Sequence, residues 1–182
     1  MITRTDTASI AMRRAVAADA ERLAEFAKRT FVETFGDANR PDDLREHIEA
    51  SFGAAKQGAE IADSDTATWL AEDAQGALVG YVQVRRKRVP DCIEAERPIE
   101  VHRFYVDRPA HGTGLARELM ATAFAQVREW GGDAVWLGVW EENARAIAFY
   151  RKCGFVDVGS IDFFVGPDRQ TDRVLVLPLA ER

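Results

Sequence analysis

The chain has 182 residues, 47% of them apolar, with 24 basic and 30 acidic side chains and a net charge of −6. This length and composition predict one globular domain with a core of ordinary size. The acidic balance argues against general nucleic-acid binding, which requires a basic face. It is compatible with a cationic substrate and equally with ordinary solubility.

The sequence carries no signature of a membrane span, of export or of a metal. No apolar run approaches the roughly twenty residues of a membrane span, and the first residues include no hydrophobic signal region. Cys92 and Cys153 form neither a C-x-x-C pair nor a disulfide framework. The three histidines are scattered, which disfavours a structural zinc site. We therefore expect a reduced, cytoplasmic protein that binds no metal, no membrane and no nucleic acid.

The first part of the chain predicts one strand and two amphipathic helices. The strand covers residues 10–16, and the first helix begins at Asp19, which is placed to cap it. The second helix begins within residues 39–43 and has apolar side chains at helical spacing. The small and polar residues 53–65 predict at most one further helical turn.

A hairpin and a charged loop come next. Residues 68–72 and 77–85 are rich in strand formers and flank a turn-forming tetrapeptide. Residues 86–98 are charged, contain two prolines and predict an exposed loop before a strand over residues 99–106.

The rest of the chain predicts two more helices and three more strands. A long helix ends at Gly131, a buried strand covers 134–140, a helix covers 143–152, and strands cover 155–165 and 171–179. The order is βααβββαβαββ, without repeats or linkers. The sequence therefore predicts a single α/β domain with a mixed sheet.

The turn between the strand at 99–106 and the long helix predicts an anion site. Residues 111–116 read HGTGLA. Glycines allow a ligand to approach the backbone closely, and the first N–H groups of a helix point at it with about half a positive charge. The expected ligand is a phosphate or pyrophosphate. No P-loop pattern exists in the chain, and Arg117 stands where the dinucleotide fingerprint requires Gly or Ala.

Two motifs together resemble those of the GNAT superfamily of acetyl-CoA-dependent N-acetyltransferases. His111-x-x-Gly114-x-Ala116 resembles its Gln/Arg-x-x-Gly-x-Gly/Ala loop, although His111 replaces the usual Gln or Arg. The run Asn143–Phe155, N-x-x-A-x-x-F-Y-x-x-x-G-F, resembles its other acetyl-CoA motif. The resemblance implies one N-acetyltransferase domain over residues 1–182, with a mostly antiparallel sheet of about seven strands flanked by about four helices.

The resemblance also implies which residues bind acetyl-CoA. The loop supplies backbone amides, the preceding strand offers backbone groups to the pantetheine arm, and the later helix contributes two side chains. The implied cofactor-binding residues are Phe104, Val106, His111, Gly112, Thr113, Gly114, Leu115, Ala116, Asn143 and Tyr150. Asn143 and Tyr150 are two helical turns apart and share a face, although Asn143 could simply cap its helix.

The implied catalytic residues are Tyr150 and Glu100. Tyr150 would protonate the departing CoA thiolate, because a phenol is still protonated at neutral pH. Glu100 lies eleven residues before His111, like the glutamate that accepts the amine's proton in some GNAT enzymes. In a regular strand His102 lies on the same side as Glu100, so His102 is an alternative candidate for the base, as is water. Cys153 has no evident base partner, and the family transfers the acetyl group directly, so we do not expect it to be a nucleophile.

Within this superfamily, several short sequence segments resemble those of bacterial polyamine (spermine/spermidine) acetyltransferases. These runs are Phe31–Gly36, Phe104–Asp107, Leu137–Glu141 and Gln170–Asp172. Glu141 and Glu142, at the end of a central strand, could hold the distal ammonium of such an acceptor or form a solvated first helical turn.

Other acceptors and functions stay open from the sequence. A protein N-terminus, an amino acid and an antibiotic are alternative acceptors, and a non-catalytic acyl-CoA sensor is the alternative function. We expect acetyl-CoA and a small amine as partners, and a monomer or homodimer.

Overall fold

A computed structural model describes residues 10–87 and 89–179 of the chain. Residues 1–9, Arg88 and residues 180–182 lie outside the described residues. The expectation that the N-terminus holds no signal region falls partly on them, as do the ends of the domain expected over 1–182.

Within the described residues, the chain forms seven strands and five α-helices in the order β1 α1 α2 α3 β2 β3 β4 α4 β5 α5 β6 β7. The strands are β1 (Ala11–Arg14), β2 (Thr66–Glu72), β3 (Leu78–Arg85), β4 (Pro98–Val106), β5 (Ala134–Trp140), β6 (Val156–Val165) and β7 (Asp168–Pro178). The helices are α1 (Ala20–Phe35), α2 (Pro41–Ser51), α3 (Ala54–Ala62), α4 (Leu115–Glu129) and α5 (Ala144–Lys152).

All seven strands form one sheet in the order β1-β2-β3-β4-β5-β7-β6. Neighbouring strands are antiparallel except β4 and β5, which are parallel. That parallel pair is short, because only Pro98–Glu100 pairs with Ala134–Trp136. Beyond these residues β4 and β5 separate, so a V-shaped opening divides the middle of the sheet.

Helices cover both faces of the sheet. On one face, α4 and α5 pack on the strands, and Leu119 and Tyr150 share a buried cluster with Val82. On the other face, α1 packs through Leu23 and Phe26 on side chains of β2 and β3. The alternation of strand side chains between these two clusters is the period of two expected for a sheet with two buried faces.

The predicted α/β class, single domain and seven-stranded mixed sheet are confirmed, and the described residues form five α-helices where about four were expected. The structure adds α3 where residues 53–65 predicted at most one turn. Apolar periodicity does not predict this helix, because the side chains that it packs against the protein are polar. Gln57 is fully buried, and Glu60 pairs with Arg103 of β4.

Two local expectations need correction. Asp19 occupies the N-cap position of α1 but does not cap it. Its carboxylate accepts from Arg13 and from the Val16 amide instead, and Arg13 holds its pKa down to about 2. The loop expected to be exposed after β3 is partly buried, because Cys92 and Ile93 pack on the apolar face of β5 and β7.

No helix among the described residues is both long enough and apolar enough to cross a membrane.

Candidate active site

The V between β4 and β5 opens into one large cavity of about 890 Å³. On one face of the sheet it is lined by the loop before α4 and by α5. On the other face it is lined by α1, α2 and the β6–β7 hairpin. Every predicted cofactor-binding residue except Leu115 lines it. Two distant stretches of sequence thus contribute to one space that passes through the sheet.

The loop before α4 has free amide groups that face open space. Gly112 and Gly114 have φ angles of +80° and +99°, the left-handed region that favours glycine. A Cβ on either would meet nothing within 4 Å. Within residues 111–117, no protein acceptor is recorded for the amides of Gly112, Gly114 and Ala116. Together with the N-terminus of α4, these amides suit a phosphate oxygen.

Leu115 differs from the rest of the loop. Its side chain is 1% exposed and belongs to the core beneath α4. Its amide makes a long hydrogen bond of 3.4 Å to the Thr113 hydroxyl. The residue therefore anchors the helix start in the core, while the glycines beside it face the cavity.

His111 fastens the loop to β4. Its Nε2 lies 2.9 Å from the Val106 carbonyl oxygen, and its Nδ1 lies 3.2 Å from a guanidinium nitrogen of Arg145. The ring therefore donates from Nε2 and accepts at Nδ1, which is the neutral tautomer. Where the family pattern has Gln or Arg, this chain has a side chain that ties the loop to the strand and to α5.

The free edge of β4 faces the V. The Asp107 amide donates to Val79 of β3, so backbone groups of alternate residues point toward β3. By that alternation, the groups of Phe104 and Val106 point into the opening. The Val106 carbonyl is occupied by His111, which leaves the Val106 N–H and both groups of Phe104 for a ligand.

Asn143 and Tyr150 project from α5 into the cavity. The Asn143 side-chain oxygen accepts from the Ala146 amide at 3.1 Å, so this residue does cap α5. Its amide nitrogen is left for other partners. The helix cap and the expected cofactor contact are thus compatible, since they use different atoms of one side chain.

Tyr150 is almost buried, with 8% exposure, and packs edge-on against Phe104 and Phe155. Burial raises the pKa of its phenol, with a smaller contribution from Tyr105. The group therefore keeps its proton at neutral pH and can donate it to a strong base formed beside it. Burial also raises the pKa of the Cys153 thiol, which makes it a poor nucleophile.

Glu100 lies beside the cavity wall instead of forming it. Its carboxylate pairs with Arg85 and lies 3.5 Å from Nδ1 of His102. Burial would raise the pKa of Glu100, but the hydrogen bonds from His102 and Arg85 outweigh it and lower the pKa. His102 does line the cavity, and burial lowers its pKa.

An aromatic chamber forms the part of the cavity on the α1 and α2 face. Ring centroids of Phe31 and His47 are 4.8 Å apart, and those of His47 and Phe163 are 5.5 Å apart. Phe35 packs against Trp140 at the end of β5 at 5.9 Å. We call these five side chains the aromatic chamber. It provides apolar walls next to the V.

One carboxylate in the chamber wall had no role predicted from sequence. Asp172 lies on β7 opposite Trp140 and is 9% exposed. Its Oδ1 has no hydrogen-bond partner among the described residues, and burial raises its pKa to about 6. A Cβ on Gly138 would lie 3.1 Å from Oδ2, so this glycine leaves room for the carboxylate.

The sequence does hold a signal for Asp172. Asp172, Val174 and Val176 alternate along β7, and the two valines are buried. Because side chains two residues apart on a strand share one face, Asp172 lies on the same apolar face as the buried valines. Charged side chains are rare on such a face unless they are paired or have a function.

The site thus lies in a seven-stranded sheet divided by a V, with the glycine-containing loop before α4 on one face and the aromatic chamber on the other. The sequence model of the acetyltransferase (GNAT) family matches residues 20–155. The chain belongs to this family. It is therefore an N-acetyltransferase, with acetyl-CoA as its cosubstrate.

The chain is similar in sequence to known acetyltransferases and in fold to a solved one. An uncharacterized N-acetyltransferase of Lactobacillus delbrueckii subsp. lactis is 32% identical over 160 residues, 86% of this chain and 90% of that protein. Streptothricin acetyltransferase of Streptomyces lavendulae is 37% identical over 105 residues, 57% of this chain and 52% of that protein. The crystal structure of PaiA N-acetyltransferase from Thermoplasma acidophilum in complex with coenzyme A has the same fold. Its TM-score is 0.76 at 20% identity, and the match covers 94% of this chain and 99% of that one.

Proposed function

We propose that the protein transfers the acetyl group of acetyl-CoA directly to the primary amine of a small cationic acceptor. The observation that carries this proposal is the single cavity that joins the loop at 111–116 to the aromatic chamber through the V. The loop amides and the N-terminus of α4 would hold the pyrophosphate. The free edge of β4 would pair with the pantetheine arm as an added strand does.

The reaction needs two proton transfers from the amine. A primary ammonium has no free lone pair, so one proton must leave before attack. The nitrogen then bonds to the thioester carbon, and a backbone N–H of β4 stabilises the oxyanion. The C–S bond breaks as Tyr150 gives its proton to sulfur. The remaining surplus proton on nitrogen returns to the Tyr150 oxygen. The products are an amide, the thiol of CoA and one released proton.

Tyr150 suits the acid role because it lines the cavity and its raised pKa keeps it protonated. Asn143 has a free amide nitrogen at the start of the same helix for the cofactor. For the first proton, Glu100, His102 and water are the candidates raised by the sequence. Glu100 would act through water or through His102, because its carboxylate is already paired with Arg85.

A polyamine is the narrower acceptor hypothesis. A second cavity of about 390 Å³ shares Thr34, Trp140 and Asn143 with the first. Glu33 and Glu142 line it together with Arg108 and Arg145, whereas Glu141 does not. A distal ammonium would bind beside the two carboxylates while the reacting amine lies in the V. These exposed carboxylates would contribute on the order of 1 kcal/mol each, and less in salt.

An antibiotic amine is the second acceptor class, because the streptothricin acetyltransferase relative is 37% identical over 105 residues. One experiment separates the classes. Thiol release from acetyl-CoA is measured with spermidine, a monoamine of similar length, streptothricin and a peptide N-terminus at two salt concentrations. We expect spermidine to have the highest kcat/KM at low salt and to lose that lead at high salt. If streptothricin leads, the polyamine hypothesis fails and the acetyltransferase stands. Binding of CoA without turnover of any amine would favour an acyl-CoA sensor.

A further inference from the structure

We propose that Asp172 is the carboxylate that binds the reacting ammonium group of the acceptor and takes its first proton. This inference rests on the proposed function and names the base that the sequence left open. It begins from one unexplained group. Only 9% of Asp172 is exposed to solvent, and the residue lines the cavity. Its Oδ1 has no hydrogen-bond partner among the described residues.

A buried and unpartnered carboxylate is costly unless a ligand completes it. No cation of the described residues contacts Asp172. Two guanidinium groups that line the same cavity have carboxylate partners of their own, since Arg103 pairs with Glu60 and Arg85 pairs with Glu100. Arg173, the next residue on β7, pairs with Asp157. A cation from outside the chain would complete this carboxylate, and a primary ammonium, with three donors, fits that role.

Asp172 and the proposed acid flank the V from its two faces. Burial raises the pKa of Tyr105 on β4, and the Asp172 carboxylate adds to that rise. Tyr105 in turn adds to the raised pKa of Tyr150. Tyr105, Asp172 and Tyr150 all line the cavity that passes through this opening. An acceptor nitrogen placed between Asp172 and the V would have its base, Asp172, on the acceptor face of the sheet. The acid that protonates the CoA thiolate, Tyr150, would lie on the cofactor face.

Apolar side chains flank Asp172 on both neighbouring strands, while Gln170 on the same face of β7 and Tyr105 on β4 are polar residues that line the same cavity. Trp140 lies opposite it on β5, Ile161 lies opposite it on β6, and His47 of α2 stacks among the rings of the aromatic chamber with its pKa lowered by burial. Low polarity favours proton transfer from a bound ammonium to the carboxylate, since both partners become neutral. The same walls favour an acceptor whose carbons next to the amine are methylenes or an aromatic ring.

The proton balance is complete with this base. The ammonium nitrogen gives one proton to Oδ1 of Asp172 and becomes a neutral amine, which attacks the thioester carbon. Tyr150 then gives and regains a proton as described above. After the amide leaves, Asp172 releases its proton to water and returns to the carboxylate. No further reactant is required.

The test compares Asp172→Asn with Asp168→Asn. Asp168 begins the same strand, is exposed and does not line the cavity. Its change removes the same charge, and asparagine there keeps an oxygen that can accept the hydrogen bond from Gln170. The substrates are acetyl-CoA with spermidine and with 2-phenylethylamine. We expect Asp172→Asn to lower kcat/KM for the amine by about 100-fold or more, with KM for acetyl-CoA within twofold. Asp168→Asn should match the wild type.

The pH profile gives a readout that a structural role would not move. In the wild type, kcat/KM for the amine should rise through a limb near pH 6, the pKa of Asp172, and Asp172→Asn should lack this limb. If Asp172→Asn keeps the limb and at least one tenth of the activity, the inference is overturned. If Glu100→Gln alone abolishes the limb, the base is Glu100 instead.

Failure of the proposed function would look different. In that case the wild type turns over no amine at any pH. Calorimetric titration of 2-phenylethylamine into the CoA complex then decides the inference separately. Binding that strengthens above pH 6 in the wild type and is lost in Asp172→Asn supports it. Equal binding by both proteins overturns it.

Discussion

Asp172→Asn should make the protein more stable at neutral pH while it lowers activity. The carboxyl has a pKa of about 6 in the fold against 3.8 in the unfolded chain, because burial disfavours its charged form. Its protonated form therefore stabilises the fold below pH 3.8, and this stabilisation is lost as pH rises through 6. Above pH 7 the folded protein holds a buried, unpaired charge. Asparagine has a similar shape without that charge.

The magnitude follows from the pKa shift. At about 1.4 kcal/mol per pKa unit, a rise from 3.8 to about 6 corresponds to about 3 kcal/mol in the free energy of unfolding at pH 8. The advantage of the variant should be small at pH 4 and reach its full value above pH 7. Since an asparagine amide also needs partners in this wall, about 3 kcal/mol is the upper value.

Urea unfolding of both proteins at several values between pH 4 and 8 measures this difference, without substrate present. Asp168→Asn is the control for the loss of one carboxylate from an exposed position of the same strand. A stability of the variant relative to wild type that does not rise between pH 4 and pH 8 would refute the reasoning. It would mean that the charged Asp172 carboxylate costs the folded protein nothing and that no ligand is needed to complete it.

Three further outcomes are expected. Gly114→Glu should weaken CoA binding, measured by calorimetry, by about 100-fold or more, because the new side chain adds bulk and a charge of the same sign as the pyrophosphate. Gly76→Glu is the control, since it places the same side chain at a similar positive φ in a remote turn, and it should bind CoA normally. Equal CoA affinities for the two variants would show that the loop is not part of the site. Tyr150→Phe should lower kcat by about 10²–10⁴-fold with little change in KM for acetyl-CoA, and near wild-type turnover with rate-limiting chemistry would move the acid elsewhere. His111→Ala should change CoA affinity by less than about tenfold, because the ring binds protein groups; a larger loss would make it a direct ligand.

Local patterns predict most of the elements of this fold. The strand at 134–140 and the helix at 143–152 agree with β5 and α5 to within one residue, because their apolar periods are strong and their ends carry caps or glycines. Helix α3 was missed because its buried side chain, Gln57, and its partly buried side chain, Glu60, are polar. Their partners come from elements distant in sequence, so no local window contains the reason for their burial.

The two halves of the candidate site were predictable to different degrees. The cofactor half depends on glycines and a helix start, which are local features, and the loop at 111–116 has the backbone geometry that its sequence indicates. The acceptor half depends on which residues meet across the V. Neither the pairing of Glu100 with Arg85 nor the isolation of Asp172 could be read from spacing. Both depend on how β3, β4, β5 and β7 lie side by side.

Direct transfer to an amine is the central claim, and one single-turnover experiment tests it. The protein is mixed with acetyl-CoA, with and without spermidine, streptothricin or 2-phenylethylamine, and both protein and products are analysed by mass spectrometry. We expect equal amounts of N-acetylated amine and CoA thiol when an accepted amine is present, and an unmodified protein in every sample. An acetyl group on the protein that a later addition of amine removes, or CoA release without any acetylated amine, would contradict the account.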